Sequence, residues 1–230
     1  AAFSLCEQAV ALDGAMTSAH SNLGIALCDA GEYDRAEACH HRALQLAPDL
    51  VQSLNNLGSI RHARGDLAGA AAWYRKALAA RPDYPESLSN LGAVLVQDDR
   101  AAEAEPLLDR ALQLQPEYPE ALCNLGLARH RLGNPESAIA LLRRALQLRP
   151  GYHESLVGLG RVFIDAGRPD DALPLLEDAV RRRDDRPDDW CLLAGALAAM
   201  GRQVDAASAW RRALAIDPGH AAAIIGIRDT

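Results

Sequence analysis

The stretch SLNNLGSIRHARGDL, Ser53 to Leu67, decides the fold through its centre, Asn56-Leu57-Gly58. The same triplet stands at Asn22-Leu23-Gly24, Asn90-Leu91-Gly92 and Asn124-Leu125-Gly126, each copy 34 residues after the last. A fixed step of this length marks supersecondary units that stack because none of them buries its apolar face alone. With the register set to begin at Thr17, residues 17–220 divide into six repeats: 17–50, 51–84, 85–118, 119–152, 153–186 and 187–220.

The register holds at several positions at once. The seventh residue is Leu23, Leu57, Leu91, Leu125, Leu159 and Leu193, and the eighth is Gly24, Gly58, Gly92, Gly126, Gly160 and then Ala194. Alanine fills the twentieth place (Ala36, Ala70, Ala104, Ala138, Ala172, Ala206) and the twenty-seventh (Ala43, Ala77, Ala111, Ala145, Ala179, Ala213). Small residues at these places let two helices of one repeat, A and B, approach closely. Gly31, Gly65, Gly133, Gly167 and Gly201 fall between the helices, where a positive φ ends helix A cheaply. Asp99 interrupts that series, so the third turn is expected to be less relaxed. Pro135 and Pro169 sit in the first turn of a helix B, where a missing N–H costs little. Pro106 and Pro174 lie deeper and are expected to bend their helices slightly. Pro48, Pro82, Pro116, Pro150 and Pro218 close repeats, and Asp184 stands there in the fifth.

These residues resemble the tetratricopeptide repeat pattern, over essentially the whole chain. The resemblance implies an all-α solenoid: a right-handed superhelix of antiparallel helix pairs with the A helices lining the concave side. Residues 1–16 fit helix B of a truncated preceding repeat, and residues 221–230 fit the start of a further helix A. The expectation is a piece of a longer array.

Composition narrows the function. The 230 residues carry a formal net charge of −7, with a pI near 5.5. Nucleic acid is disfavoured as a partner, since phosphate binding needs concentrated positive charge. Aromatics make up 4% and hydrophobic residues 49%, which suits helices packed through Ala and Leu. Lys76 is the single lysine, which suggests a GC-rich genome and fits the bacterial source that we expect. Five cysteines without CxxC spacing suggest neither a disulfide framework nor a zinc site, and free thiols point to the cytoplasm. No apolar run reaches membrane-spanning length, so no membrane partner is expected. Dinucleotide, Walker, HExxH and GxSxG motifs are absent and the seven histidines scatter across the register. The reading is of no enzyme, no cofactor and no metal, although the chain would suit the non-catalytic part of a larger enzyme.

In the family that the sequence resembles, helix A positions two, five, six, nine, twelve and thirteen face the groove. Position six is Asn22, Asn56, Asn90 and Asn124, then Gly158 and Leu192. A carboxamide offers both a donor and an acceptor, so it can pair with a peptide unit's C=O and N–H together. A ladder of such groups is expected to hold an extended peptide by its backbone. Asparagine here also has an architectural role in such repeats, holding adjacent A helices. Position two reads Ser18, Gln52, Glu86, Glu120, Glu154 and Asp188, and acids in a first helical turn are favoured by the macrodipole alone. Asn55, His62, Gln97, His130, Arg131 and Arg161 complete the candidate peptide-binding set.

The Lys and Asn pair by which some tetratricopeptide domains clamp chaperone tails is missing at positions five and nine. The segment Ser53 to Leu78 is similar to the repeat array of O-linked N-acetylglucosamine transferases and their bacterial relatives, where an Asn ladder holds protein substrates. The favoured expectation is therefore a protein–protein interaction scaffold. The alternatives are the substrate-recognition arm of a larger glycosyltransferase of that kind, and a structural protein that self-associates through exposed array ends.

Overall fold

The computed structural model describes residues 16–228, so the expected helix B at 1–16 lies outside the described residues. All the regular elements among these residues are helices. They form two bodies, divided between Pro116 and Glu117. In the first, α1 (Thr17–Asp29) pairs with α2 (Tyr33–Leu46), α3 (Val51–Ala63) with α4 (Leu67–Ala80), and α5 (Pro85–Gln97) with α6 (Ala101–Leu114). In the second, α7 (Pro119–Arg131) pairs with α8 (Pro135–Leu148), α9 (His153–Asp165) with α10 (Pro169–Arg182), and α11 (Pro187–Ala199) with α12 (Gln203–Ile216). A further A-type helix, α13 (Ala221–Arg228), packs on α12. Within each body every B helix also packs on the A helix that follows it, and successive A helices touch. This is the all-α stack of helix pairs that the 34-residue step implies.

The alanines at positions twenty and twenty-seven are all 0% exposed, as they must be where two backbones nearly touch. The glycine at position eight is the other half of that contact. A Cβ added at Gly24, Gly58, Gly92, Gly126 or Gly160 would lie 2.5 to 2.8 Å from one large side chain of helix B. That side chain occupies position twenty-four: His40, Tyr74, Leu108, Leu142 and Leu176, each at most 1% exposed. Burying one such leucine contributes about 1.5–3 kcal/mol of apolar stabilisation. In the sixth repeat Ala194 replaces the glycine, and the corresponding Trp210 lies against Gly226 of α13.

Turn chemistry follows the sequence closely. Gly31, Gly65, Gly133, Gly167 and Gly201 have φ between 70° and 78°, and Asp99 is forced to the same region at φ 59°. Proline stands in the first turn of α5, α7, α8, α9's successor α10, and α11. Pro106 and Pro174 lie inside α6 and α10, which continue through them.

One member of the position-twenty-four series is an imidazole. His40 is fully buried, its Nδ1 lies 3.2 Å from Ser53 Oγ, and its Nε2 has no partner. Ser53 in turn donates to Ser21 Oγ at 3.3 Å, so the histidine sits at one end of a buried polar chain. Burial, helped by the adjacent His41, holds the imidazole down from 6.5 to about 4. Between those values the unfolded chain takes up a proton that the folded chain refuses, so acid favours unfolding.

Three outcomes are expected in urea unfolding. Gly58→Ala should cost about 1–3 kcal/mol, because the buried Tyr74 ring has nowhere to retreat. Asp99→Gly should stabilise by about 1 kcal/mol through relief of the left-handed backbone. His40→Leu, which installs the side chain of three other repeats, should remove a loss of stability between pH 6.5 and about 4 that reaches at most about 3 kcal/mol. A wild type and a His40→Leu variant with parallel pH profiles would refute that assignment.

Candidate peptide-binding face

Positions two, six, nine and thirteen of an A helix are three or four residues apart, so they share one face, with five and twelve on its flank. In the first body, position six is exposed at Asn22 and half-buried at Asn56 and Asn90. The three differ in what they touch. Asn90 Nδ2 donates to Asn55 Oδ1 of the preceding A helix at 3.2 Å. Among the described residues the carboxamides of Asn22 and Asn56 have no hydrogen-bond partner. Asn124, half-buried on α7, is the counterpart in the second body.

Position five is less open than the face model implies. Ser21, Asn55 and Ser89 are buried between A helices. Asn55 Oδ1 also accepts from Ser87 Oγ at 2.9 Å, so its oxygen clasps the next repeat twice. In the second body Cys123 takes this place, and burial pushes its thiol up to about 12. Twice the residue that reaches back is a serine at position three of the following repeat: Ser53 to Ser21, and Ser87 to Asn55. Asp189 stands at that position in the sixth repeat and pairs with buried His153 Nε2 at 2.7 Å. None of these position-three contacts is legible without knowing which A-helix faces meet, although serine at 53, 87 and 155 keeps the repeat step.

The histidines predicted for the face also tie repeats together. His62 Nε2 lies 2.8 Å from Gln97 Oε1, and His130 Nε2 lies 2.9 Å from Asp165 Oδ2. In both cases position twelve of one repeat meets position thirteen of the next. Asp165 was not anticipated as a site residue, and its spacing from His130 matches that of Gln97 from His62.

The acidic stripe occupies first helical turns, as the macrodipole favours. Gln52, Glu86, Glu154 and Asp188 are exposed, while Glu120 is half-buried and paired with Arg149 at 2.6 Å. Arg131 and Arg161 are exposed on successive A helices, α7 and α9. Asp188 contacts His220 Nε2 at 3.0 Å, and His220 Nδ1 lies 3.4 Å from Cys191 Sγ. Burial and the Asp188 carboxylate push that thiol up to about 11, so it stands in its neutral form and not as an activated nucleophile. Among the described residues no group of three or more His, Cys, Asp or Glu side chains could hold a metal ion, and no helix is long and apolar enough to cross a membrane.

Comparison with known proteins identifies the repeat. Tetratricopeptide repeat models match residues 15–83, 83–151 and 129–196. No curated protein matches the sequence. Among solved structures, the chain is similar to the Cut9–Hcn1 hetero-tetramer of the APC/C, with 16% identity and a TM-score of 0.92 over 99% of this chain. It spans 45% of that chain's length. It is also similar to pilF of Pseudomonas aeruginosa, with 21% identity and a TM-score of 0.76, covering 95% of this chain and 99% of that one. YrrB, a repeat protein with an unusual peptide-binding site, shares 22% identity and a TM-score of 0.61, covering 85% and 97%. At these identities the structures speak for the fold, and the repeat models cover well over half of the sequence. The chain belongs to the tetratricopeptide repeat family.

Proposed function

We propose that the chain is a protein-interaction scaffold that holds an extended peptide or protein segment along its A-helix faces. The observation that carries this reading is the pair of unpartnered carboxamides at Asn22 and Asn56, 34 residues apart on neighbouring A helices. A carboxamide that makes no hydrogen bond within the fold keeps a donor and an acceptor for a ligand backbone, and at the half-buried Asn56 an unmade bond is costly, while Asn22 is exposed. Asn90 contributes from its clasp with Asn55, and Asn124 offers the same group in the second body. Exposed Glu86 and Glu154 on the same faces favour segments carrying Lys or Arg. A relative by fold, YrrB, has a peptide-binding site, which is consistent with this use of the repeats.

A second reading, self-association, is favoured by one observation. Val204 is 80% exposed and Ile225 59%, an unusual apolar exposure at the last two described helices. Sedimentation at rising concentration checks it: a mass that grows, and that Val204→Lys returns to the monomer, would establish it.

For the scaffold, we would measure capture of an unstructured, proteome-derived peptide library on the immobilised protein. The Asn22→Ala, Asn56→Ala double variant should lose most of that capture while its unfolding midpoint stays at the wild-type value. Asn90→Ala should instead cost about 1–2 kcal/mol of stability, because it strips a partner from the buried Asn55. Undiminished capture by a folded double variant would overturn the ladder as a binding device.

A further inference from the structure

The opposite side of each stack carries a feature that the peptide-binding face does not use. In the first body a cavity of about 600 Å³ opens between α4 and α6. Leu78, Leu91, Leu95 and Leu107 line it, with Pro106 and Arg75 at its edge. In the second body a cavity of about 380 Å³ opens between α8 and α10, lined by Leu146, Leu159, Phe163 and Leu175, with Pro174 and Arg143. Each of these six residues lies 68 residues beyond its counterpart, two full repeats. Leucine at some of these positions belongs to the packing of every repeat. Proline at position twenty-two and arginine at position twenty-five do not: proline occurs there only in the third and fifth repeats, arginine only in the second, fourth and sixth.

The proline withdraws a backbone donor, and the arginine makes no ion pair. Proline has no N–H, so Pro106 withdraws the donor that the Ala102 carbonyl would have four residues on, and Pro174 does the same to Asp170. Ala102 itself lines the first cavity. The lip acids are already engaged, Glu103 with Arg100 at 2.8 Å and Asp171 with Arg168 at 2.6 Å. Arg75 and Arg143 are exposed and form neither an ion pair nor a hydrogen bond among the described residues. Arg143 lies over the Phe163 ring, 5.6 Å from its centroid, beside the second cavity.

We infer that each notch is a docking site for a segment of a partner protein that presents a large apolar side chain next to a carboxylate. The apolar floor takes the side chain, in a volume within the usual range for ligand sites. The free guanidinium takes the carboxylate, with the fork geometry that arginine offers to that group. The carbonyl that proline leaves free accepts a backbone N–H. Charge complementarity selects the occupant: at the second notch Arg168 neutralises Asp171 and leaves Arg143 uncompensated. At the first, Arg100 is shared by Glu103 and Asp98 and Arg75 also acts on Glu103, so the second notch is the more positive and the tighter site.

The test is fluorescence anisotropy with a fluorescein-labelled peptide, EDLFED, titrated with the whole chain. Two sites per chain are expected, with affinity falling at least about tenfold in the Arg75→Glu, Arg143→Glu double variant. Ala102→Trp, a surface change that fills the first notch, should remove one site and leave the helical circular dichroism unchanged. The Asn22→Ala, Asn56→Ala variant should bind this probe normally, which separates the notches from the peptide-binding face. The inference falls if the probe binds no better than its EDSSED or KKLFKK counterparts, or if charge reversal leaves its affinity unchanged. It falls equally if the notches prove to be filled by a second copy, seen as a dimer that charge reversal dissociates.

Discussion

Five glycines and the side chains that rest on them set the spacing on which everything else in this chain depends. Where Gly58 meets Tyr74, or Gly92 meets Leu108, helix A and helix B are so close that one methyl group has no room. That closeness buries the alanines at positions twenty and twenty-seven completely. It also fixes the tilt at which each pair presents its outer faces. The interior of a pair is thus already committed, and chemical variety is confined to where A helices meet A helices and to the outer sides of the B helices.

The A-helix contacts show which polar residues tie one repeat to the next. Asn55 and Asn90 spend their carboxamides on each other, and Ser87 joins them, so this part of the polar row is mortar between repeats. His62 with Gln97, and His130 with Asp165, do the same near the ends of the A helices. Asn22 and Asn56 hold the same register position without that employment. One letter of the repeat is therefore tied to a neighbour in one place and left without a hydrogen bond in another, and the residues around it decide which.

Most of the fold was legible in the sequence, because steric minima admit few residues. Only a small residue fits at position eight, twenty or twenty-seven, so the letter repeats and the period shows. The element boundaries follow from Gly31 and its equivalents, and Asp99 adopts the left-handed turn at the place where the series breaks. The filler of the glycine hole escaped notice for the converse reason. Any large side chain will do, and the chain uses His40, Tyr74 and three leucines, so no one letter runs through the whole array. The candidate site was legible in part. The choice of helix face located the asparagines, but the burial of Asn55 and the contacts from position three depend on side chains 32 to 36 residues apart. A face defined from one helix says nothing of what the next helix brings to it.

The chain counts in two periods. Glycine holes recur every 34 residues, whereas Pro106 and Pro174, Arg75 and Arg143, and the His62–Gln97 and His130–Asp165 ties recur every 68. Excising one internal repeat would join compatible helix ends and preserve each remaining glycine contact. Depending on which repeat went, it would nonetheless set a proline beside the wrong partner or leave a histidine facing neither Gln nor Asp. Excising two would keep both patterns in phase. Inside the array, length can therefore change by single repeats and keep the glycine contacts, but only by pairs and keep the surface pattern.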